Sequence, residues 1–319
     1  MGMTQGDVEI QEFCTSPAFP QRRRVAVWIR AAVIGVLLFW IFWAPLRGMA
    51  SRWSSDANWS HGWLVPLFSL YFLYTRRELI ASTSATTCYP GLILFLLSLG
   101  GYFFFLAVNP FTYLQMVSLV GAILGVTLFL TGWAMLRVVW LPILFLCLAI
   151  PIPDRHYVEL TMPLRKLTTQ FAAMLLSLIP GIEIETQGVI IDYQYEGHLG
   201  QLNVEEACAG MRLMMAFVTL GVAMAYLGDR PTWQRICMVV VCVPIAVFCN
   251  IVRVTVTGFL TVYGYGALAQ GTTHELLGLA MLPVALGLFA LTGYILKHLL
   301  LEEEDGAEAE GAVQWRETA

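Results

Sequence analysis

Apolar residues run along this chain in long blocks separated by short polar breaks. The blocks fall at about 25–46, 62–75, 91–108, 113–132, 138–152, 208–228, 236–263 and 275–298. A helix needs roughly 20 apolar residues to cross a bilayer, so the pattern predicts eight spans, of which 62–75 and 138–152 are short. Residues 153–207 break the pattern. From Arg155 to Leu178, Tyr157, Leu160, Met162, Leu164, Leu167, Phe171, Met174, Leu175 and Leu178 alternate with charges and threonines at helical spacing. That predicts an amphipathic helix lying at the interface by its apolar face. From Ile182 to Val204 the β-branched and aromatic residues broken by Gly188, Gly197 and Gly200 predict short strands.

Composition agrees with a lipid solvent. Hydrophobic residues make up 58% of 319 positions and charged residues 13%, with a mean hydropathy of +0.70. The expected fold is an all-α polytopic membrane protein of about eight transmembrane helices with a small extracytoplasmic helix-plus-β insert. Residues 1–24 form a cytoplasmic N-terminal segment, 25–152 carry helices one to five, and 153–207 form the insert. Residues 208–298 carry helices six to eight, and 299–319 form an acidic cytoplasmic tail. The first apolar block has no small-residue cleavage site and exceeds signal-peptide length, so it reads as a retained span.

Charge sets the orientation. Arg22 to Arg24, Arg76 with Arg77, Arg137, and Arg230 with Arg235 favour the cytoplasmic side. The loop from Gly48 to His61 and the insert then face outward. Arg155, Arg165 and Lys166 lie on the disfavoured side, and if Met162 to Ile179 crossed, the sidedness of everything after it would reverse. A net charge of −4 arises largely from the tail and gives no nucleic-acid footprint. The seven cysteines show neither CxxC nor a paired framework, so no metal, cofactor or disulfide scaffold is expected.

Polar residues at the outer level carry the candidate chemistry. Cys208 follows Glu205 and Glu206 at the head of the sixth block, where a helix N-terminus favours a thiolate. Ala207, Ala209 and Gly210 leave room for a substrate backbone. Arg253 lies about 26 Å along its helix from Ile236, near the outer edge of a core roughly 30 Å thick. An intramembrane arginine faces a protein interior or snorkels to the interface. Asn250 shares its helix face. His274 heads the last block and His61 lies in Trp59-Ser60-His61-Gly62-Trp63-Leu64-Val65-Pro66. A thiolate, a guanidinium and an imidazole can attack an amide, steady its oxyanion and protonate the leaving amine. Glu206 either tunes the thiol or is simply solvated.

Four segments together resemble the exosortase/archaeosortase family of multi-pass membrane cysteine proteases and transpeptidases. They are the box from Trp59 to Pro66, Glu-Ala-Cys-Ala-Gly at 206–210, Phe248-Cys249-Asn250-Ile251-Val252-Arg253-Val254, and His274 with Gly278. The resemblance covers about residues 25–298. It implies that Cys208 is the nucleophile, Arg253 and His274 its catalytic partners, and Asn250, Glu206 and His61 supporting residues. It implies exported protein substrates with a C-terminal sorting signal of short motif, hydrophobic helix and basic cluster. It further implies a bacterial inner-membrane location, an active site on the extracytoplasmic side and a link to exopolysaccharide production. Ala209 departs from the serine common after the family cysteine. A non-catalytic component of exopolysaccharide assembly or export is the alternative. An intramembrane serine or aspartyl protease is not supported, since neither GxSxG nor a pair of intramembrane aspartates is present.

Overall fold

The computed structural model describes residues 21–56, 58–108, 112–204, 211–228, 231–266, 276–278 and 280–298. The N-terminal segment before Gln21, the tail from residue 299, and Glu206, Cys208 and His274 lie outside these described residues. The chain divides into two units, Met1–His156 and Tyr157–Ala319.

The first unit opens with α1 (Gln21–Ile41) and α2 (Trp43–Ser55), bent by 71° at the break between them. Phe42 is fully buried at the bend, and the Tyr102 hydroxyl donates to the Ile41 carbonyl at 3.0 Å. A carbonyl freed by a broken helix therefore keeps a partner. A 3₁₀ turn at Ser60–Trp63 leads into α3 (Leu64–Thr75), and α4 (Arg77–Ser82) is a short connector before α5 (Tyr89–Ala107).

Next, α6 (Thr112–Phe145) continues as a 3₁₀ turn to Ala149. As one straight rod these residues would measure about 57 Å, nearly twice the hydrocarbon core. They are not straight. Gly132 has φ 81° and ψ −178°, and the extended segment before α5 closes on the break, with Thr86 N–H donating to Thr131 O and Cys88 N–H to Phe129 O, each at 3.1 Å. The two blocks expected at 113–132 and 138–152 are thus one broken helix.

The ends of the helices sort into two sets. Val27, Leu73, Arg77, Thr83, Thr131 and Met135 surround one cavity of about 310 Å³. Gly48, Arg52, Thr112, Met116, Ile150 and Pro153 surround another of about 300 Å³. The ends of the first, second and fourth blocks that basic residues flank, with Arg77 and Val27 both in the lining, gather at the first cavity.

In the second unit α7 (Asp154–Leu176) precedes an antiparallel sheet of β1 (Glu183–Gln187), β2 (Ile190–Tyr195) and β3 (His198–Asn203), in the order β1-β2-β3. Glu196 (φ 49°) and Gly197 (φ 81°) make the second hairpin turn, the left-handed pair that a two-residue turn between twisted strands requires. Helices α8 (Met211–Leu227) and α9 (Thr232–Val262) follow, then α10 (Leu276–His298). Ile191, Leu202 and Val204 from the sheet join Leu176, Phe217, Met238, Ile245, Val254 and Phe289 in one core. Closeness of the helices depends on Gly221, where a Cβ would stand 2.0 Å from Cys242 Sγ.

The helix and strands of the insert form near the expected positions, with the apolar face of α7 outward as an interfacial helix requires, but its polar face is enclosed by protein, which the interfacial reading did not foresee. Its buried residues include Thr161, Arg165, Thr168, Thr169, Ala172 and Ala173, while Leu160, Leu167, Phe171 and Met174 are exposed. With lipid as solvent, an apolar face satisfies itself outward and a polar face must be enclosed by protein.

Among the described residues, four helices are long and apolar enough to cross a membrane, or five if the bent pair α1–α2 is one span. This is fewer than the eight expected, because residues 112–149 count as one element broken at Gly132 and because α3 and α8 are shorter than the length a span needs. Cys88 is disulfide-bonded, a pairing the cysteine spacing did not reveal, and among the described residues Cys147, Cys237, Cys242 and Cys249 are free.

Candidate functional site

Asn250 and Arg253 stand one turn apart on α9, at 3% and 2% exposure. Three residues advance a helix by about 300°, so both point to the same side. The Asn250 amide donates from Nδ2 to Thr168 Oγ1 of α7 at 3.2 Å. Arg253 faces α10: a Cβ on Gly278 would stand 3.3 Å from its Cζ and Nη2 and 3.4 Å from Nη1. The planar guanidinium therefore lies over a helix surface that has no side chain. Arg253 is enclosed by protein and does not snorkel to an interface.

The height of this layer follows from α9 itself. Its 31 residues would measure about 46 Å, longer than a hydrocarbon core of about 30 Å. Its C-terminal end carries the sheet. A Cβ on Gly258 would meet Leu176 Cδ1 at 2.7 Å and Leu202 Cδ2 at 3.3 Å, and Tyr263 packs edge-on to Tyr195 with centroids 5.8 Å apart. Arg253 is five residues before Gly258, about 7.5 Å below the sheet along the helix axis.

Sequence reasoning missed Arg165, treating it only as a charge on the wrong side of the membrane. It is 7% exposed, one turn before Thr168 on the enclosed face of α7, and its carbonyl accepts from Thr169 Oγ1 at 2.9 Å. The signal was present: Thr161, Arg165, Thr168 and Ala172 recur at spacings of three and four, which is a helix stripe. A charge in such a stripe belongs to the protein interior and carries no topological weight.

His61 belongs to the first unit and is 6% exposed. It lies in the turn before α3, outside the candidate spans. Its Nε2 is 3.3 Å from Leu148 O, and Trp59 packs beside it with centroids 5.8 Å apart. Burial pushes its pKa below the ordinary histidine value, against smaller upward contributions from hydrogen bonds with the Leu148 and Asn58 backbone. Nearby, Trp53 Nε1 donates to Ala149 O at 2.9 Å. His61 and these tryptophans tie the 3₁₀ turn to the end of α6.

An apolar helical bundle that encloses an arginine and an asparagine beneath a small sheet defines a polytopic membrane protein organised round a buried polar layer. The chain belongs to the transmembrane exosortase family, whose family model matches residues 53–291. The match includes the His61 box, Cys208, Arg253 and His274. No curated protein and no solved structure matches the chain.

Proposed function

We propose that the protein is a cysteine peptidase or transpeptidase acting on the C-terminal sorting signals of exported proteins, with Cys208, Arg253 and His274 as its reacting set. The observation that carries this reading is Arg253, enclosed between α9 and Gly278 of α10 in a chain of the exosortase family. A buried guanidinium is costly at membrane depth and is retained where its charge is used.

In the proposed reaction His274 takes the Cys208 thiol proton, and the thiolate attacks the scissile carbonyl, forming a carbon–sulfur bond. The oxyanion of the tetrahedral intermediate accepts hydrogen bonds from Arg253. Collapse breaks the carbon–nitrogen bond, and the imidazolium returns its proton to the leaving amine. Water or an amine then attacks the thioester, regenerating the thiol and releasing an acid or a new amide. Asn250, held by Thr168, and Glu206 support the set.

The membrane arrangement we propose has eight passes, with residues 112–131 and 133–149 as separate passes on either side of Gly132 and with α3 and α8 as short ones. The setting is a bacterial inner membrane with the sheet and Cys208 on the extracytoplasmic side, serving exopolysaccharide-associated protein export.

Co-expression with an exported reporter ending in a short motif, an apolar helix and a basic cluster tests the reading. The wild type is expected to shorten the reporter, as read by its C-terminal mass, whereas Cys208→Ala inserts normally and leaves it whole. Equal processing by Cys208→Ala would point instead to a non-catalytic component of polysaccharide assembly or export.

A further inference from the structure

The sheet of the second unit has two edges of different character. The loops at 188–189 and 196–197 each hold two residues, so the flanking pairs Gln187↔Ile190 and Tyr195↔His198 are the doubly hydrogen-bonded kind. The phase then alternates along each ladder, and Val204 N–H donating to Val189 O at 2.9 Å confirms it on β3. His198, Gly200 and Leu202 are spent on β2. Leu199 and Gln201 turn their backbone groups away from it, and among the described residues no strand pairs with this edge.

On the other edge, the outward positions of β1 are Ile184 and Thr186, flanked by exposed Glu183 and Glu185. Charges at an edge strand are a common guard against pairing. From His198 to Asn203, β3 has no Asp, Glu, Lys or Arg, and Leu199 is 82% exposed. It is the unguarded edge, and it is firmly seated, because Leu202 packs onto Gly258 of α9.

Its position along the chain matters more. Cys208 comes five positions after Asn203, a distance of at most about 17 Å of chain. A peptide of five extended residues is itself about 17 Å long. A strand laid along β3 therefore ends five chain positions from the proposed nucleophile, and Leu202 of β3 packs on α9 at Gly258, five residues after Arg253.

We infer that the free edge of β3 is a docking strand for the extended segment of the substrate next to the scissile bond, which joins the sheet as a fourth strand. The inference rests on the peptidase reading of the site and adds how the substrate is held. Main-chain pairing supplies affinity independent of side chains, and alternate substrate side chains face the helices. It explains an otherwise costly feature, an exposed, uncharged edge strand on a small sheet.

Two proline variants separate this role from folding. Proline removes an N–H and is tolerated where that N–H points away from the ladder. Gln201→Pro on β3 and Thr186→Pro on β1 both meet that condition, so both full-length proteins are expected to insert and melt like the wild type. With the reporter described above, Gln201→Pro is expected to lose about ten-fold or more in cleavage, and Thr186→Pro to stay within about two-fold of wild type. In a Cys208→Ala background, a benzoyl-phenylalanine photoprobe at position 199 is expected to capture the reporter, and one at position 186 is not.

Cleavage by the wild type and by Gln201→Pro at equal rates, an equal loss in Thr186→Pro, or capture at position 199 of a second copy of the chain alone overturns the docking and leaves the peptidase reading standing. If Gln201→Pro fails to fold, the photoprobe decides alone. Capture at 199 with an uncleaved reporter keeps the docking and removes the peptidase reading. Neither capture nor cleavage removes both.

Discussion

Gly278 and Arg253 are packed so that the glycine's absent side chain is the space the guanidinium occupies, with an ideal Cβ 3.3 Å from Cζ. That separation is tighter than ordinary van der Waals contact, so an alanine displaces the guanidinium by a few tenths of an ångström and a leucine evicts it. Misplacing a reacting group by about 1 Å is able to cost on the order of 100-fold in rate. Gly278→Ala is therefore expected to slow reporter cleavage several-fold, and Gly278→Leu by roughly 100-fold. Reporter cleavage at matched membrane levels of protein is the measurement. Full activity in Gly278→Leu would remove Arg253 from the reaction.

The Asn250–Thr168 hydrogen bond joins α9 to α7 at 3.2 Å, with both side chains buried. Deleting one partner of a buried pair leaves the other without it and costs about 1–3 kcal/mol. Asn250→Ala and Thr168→Val are each expected to lower stability by that order. The double variant is expected to fall by less than their sum, with a coupling of about 0.5–3 kcal/mol between contacting residues. Chemical unfolding in detergent measures it, and strict additivity would show that the two groups do not act as a pair.

How much of this was legible beforehand depends on what lipid does to periodicity. The helix at 155–178 and the strands at 182–204 were readable because their spacings are local, and they form at Asp154–Leu176 and Glu183–Asn203. That protein encloses the polar face of α7 was not readable. Spacing shows that two faces differ, but only the surroundings decide whether Leu160 and Phe171 or Thr161 and Arg165 turn inward. The same ambiguity made Arg165 look like a misplaced topological signal. The block boundary near 132–138 was visible as a weakening of hydropathy, whereas the left-handed turn at Gly132 depends on Thr86, 46 positions earlier in the chain, and no local pattern contains it. Asn250 and Arg253 were legible as polar residues on one face, since three positions on a helix is a local relation. Their neighbours Thr168 and Gly278 come from distant elements.

Gly132 carries two independent requirements. Its φ of 81° is a conformation that L side chains rarely adopt, and a Cβ would stand 2.2 Å from Thr86 Oγ1 and 2.7 Å from Thr86 O. Backbone strain of this kind costs about 1–3 kcal/mol before any clash. Gly132→Ala is expected to destabilise the protein by at least about 2 kcal/mol, and Thr86→Ala in the same chain to restore only part of it, because the carbonyl remains in the way. Thermal unfolding of the two variants decides, and a Gly132→Ala protein as stable as wild type would mean that the helix is not broken there.

His61 makes stability depend on pH in a direction its surroundings dictate. Burial lowers its pKa below the ordinary histidine value of 6.5, so the folded protein binds a proton there less readily than the unfolded chain does. A site of that kind contributes stability that is fully present above the unfolded pKa of about 6.5 and is lost as pH falls through the folded value. At neutral pH the ring is neutral and its bond to Leu148 O holds the 3₁₀ turn against the end of α6. Between pH 7.5 and pH 5 the melting temperature is therefore expected to drop, and His61→Gln, which cannot take up the proton, is expected to show a shallower drop from a lower starting point. Differential scanning fluorimetry in detergent over that range is the test. A pH dependence that is unchanged in His61→Gln would assign it to other groups.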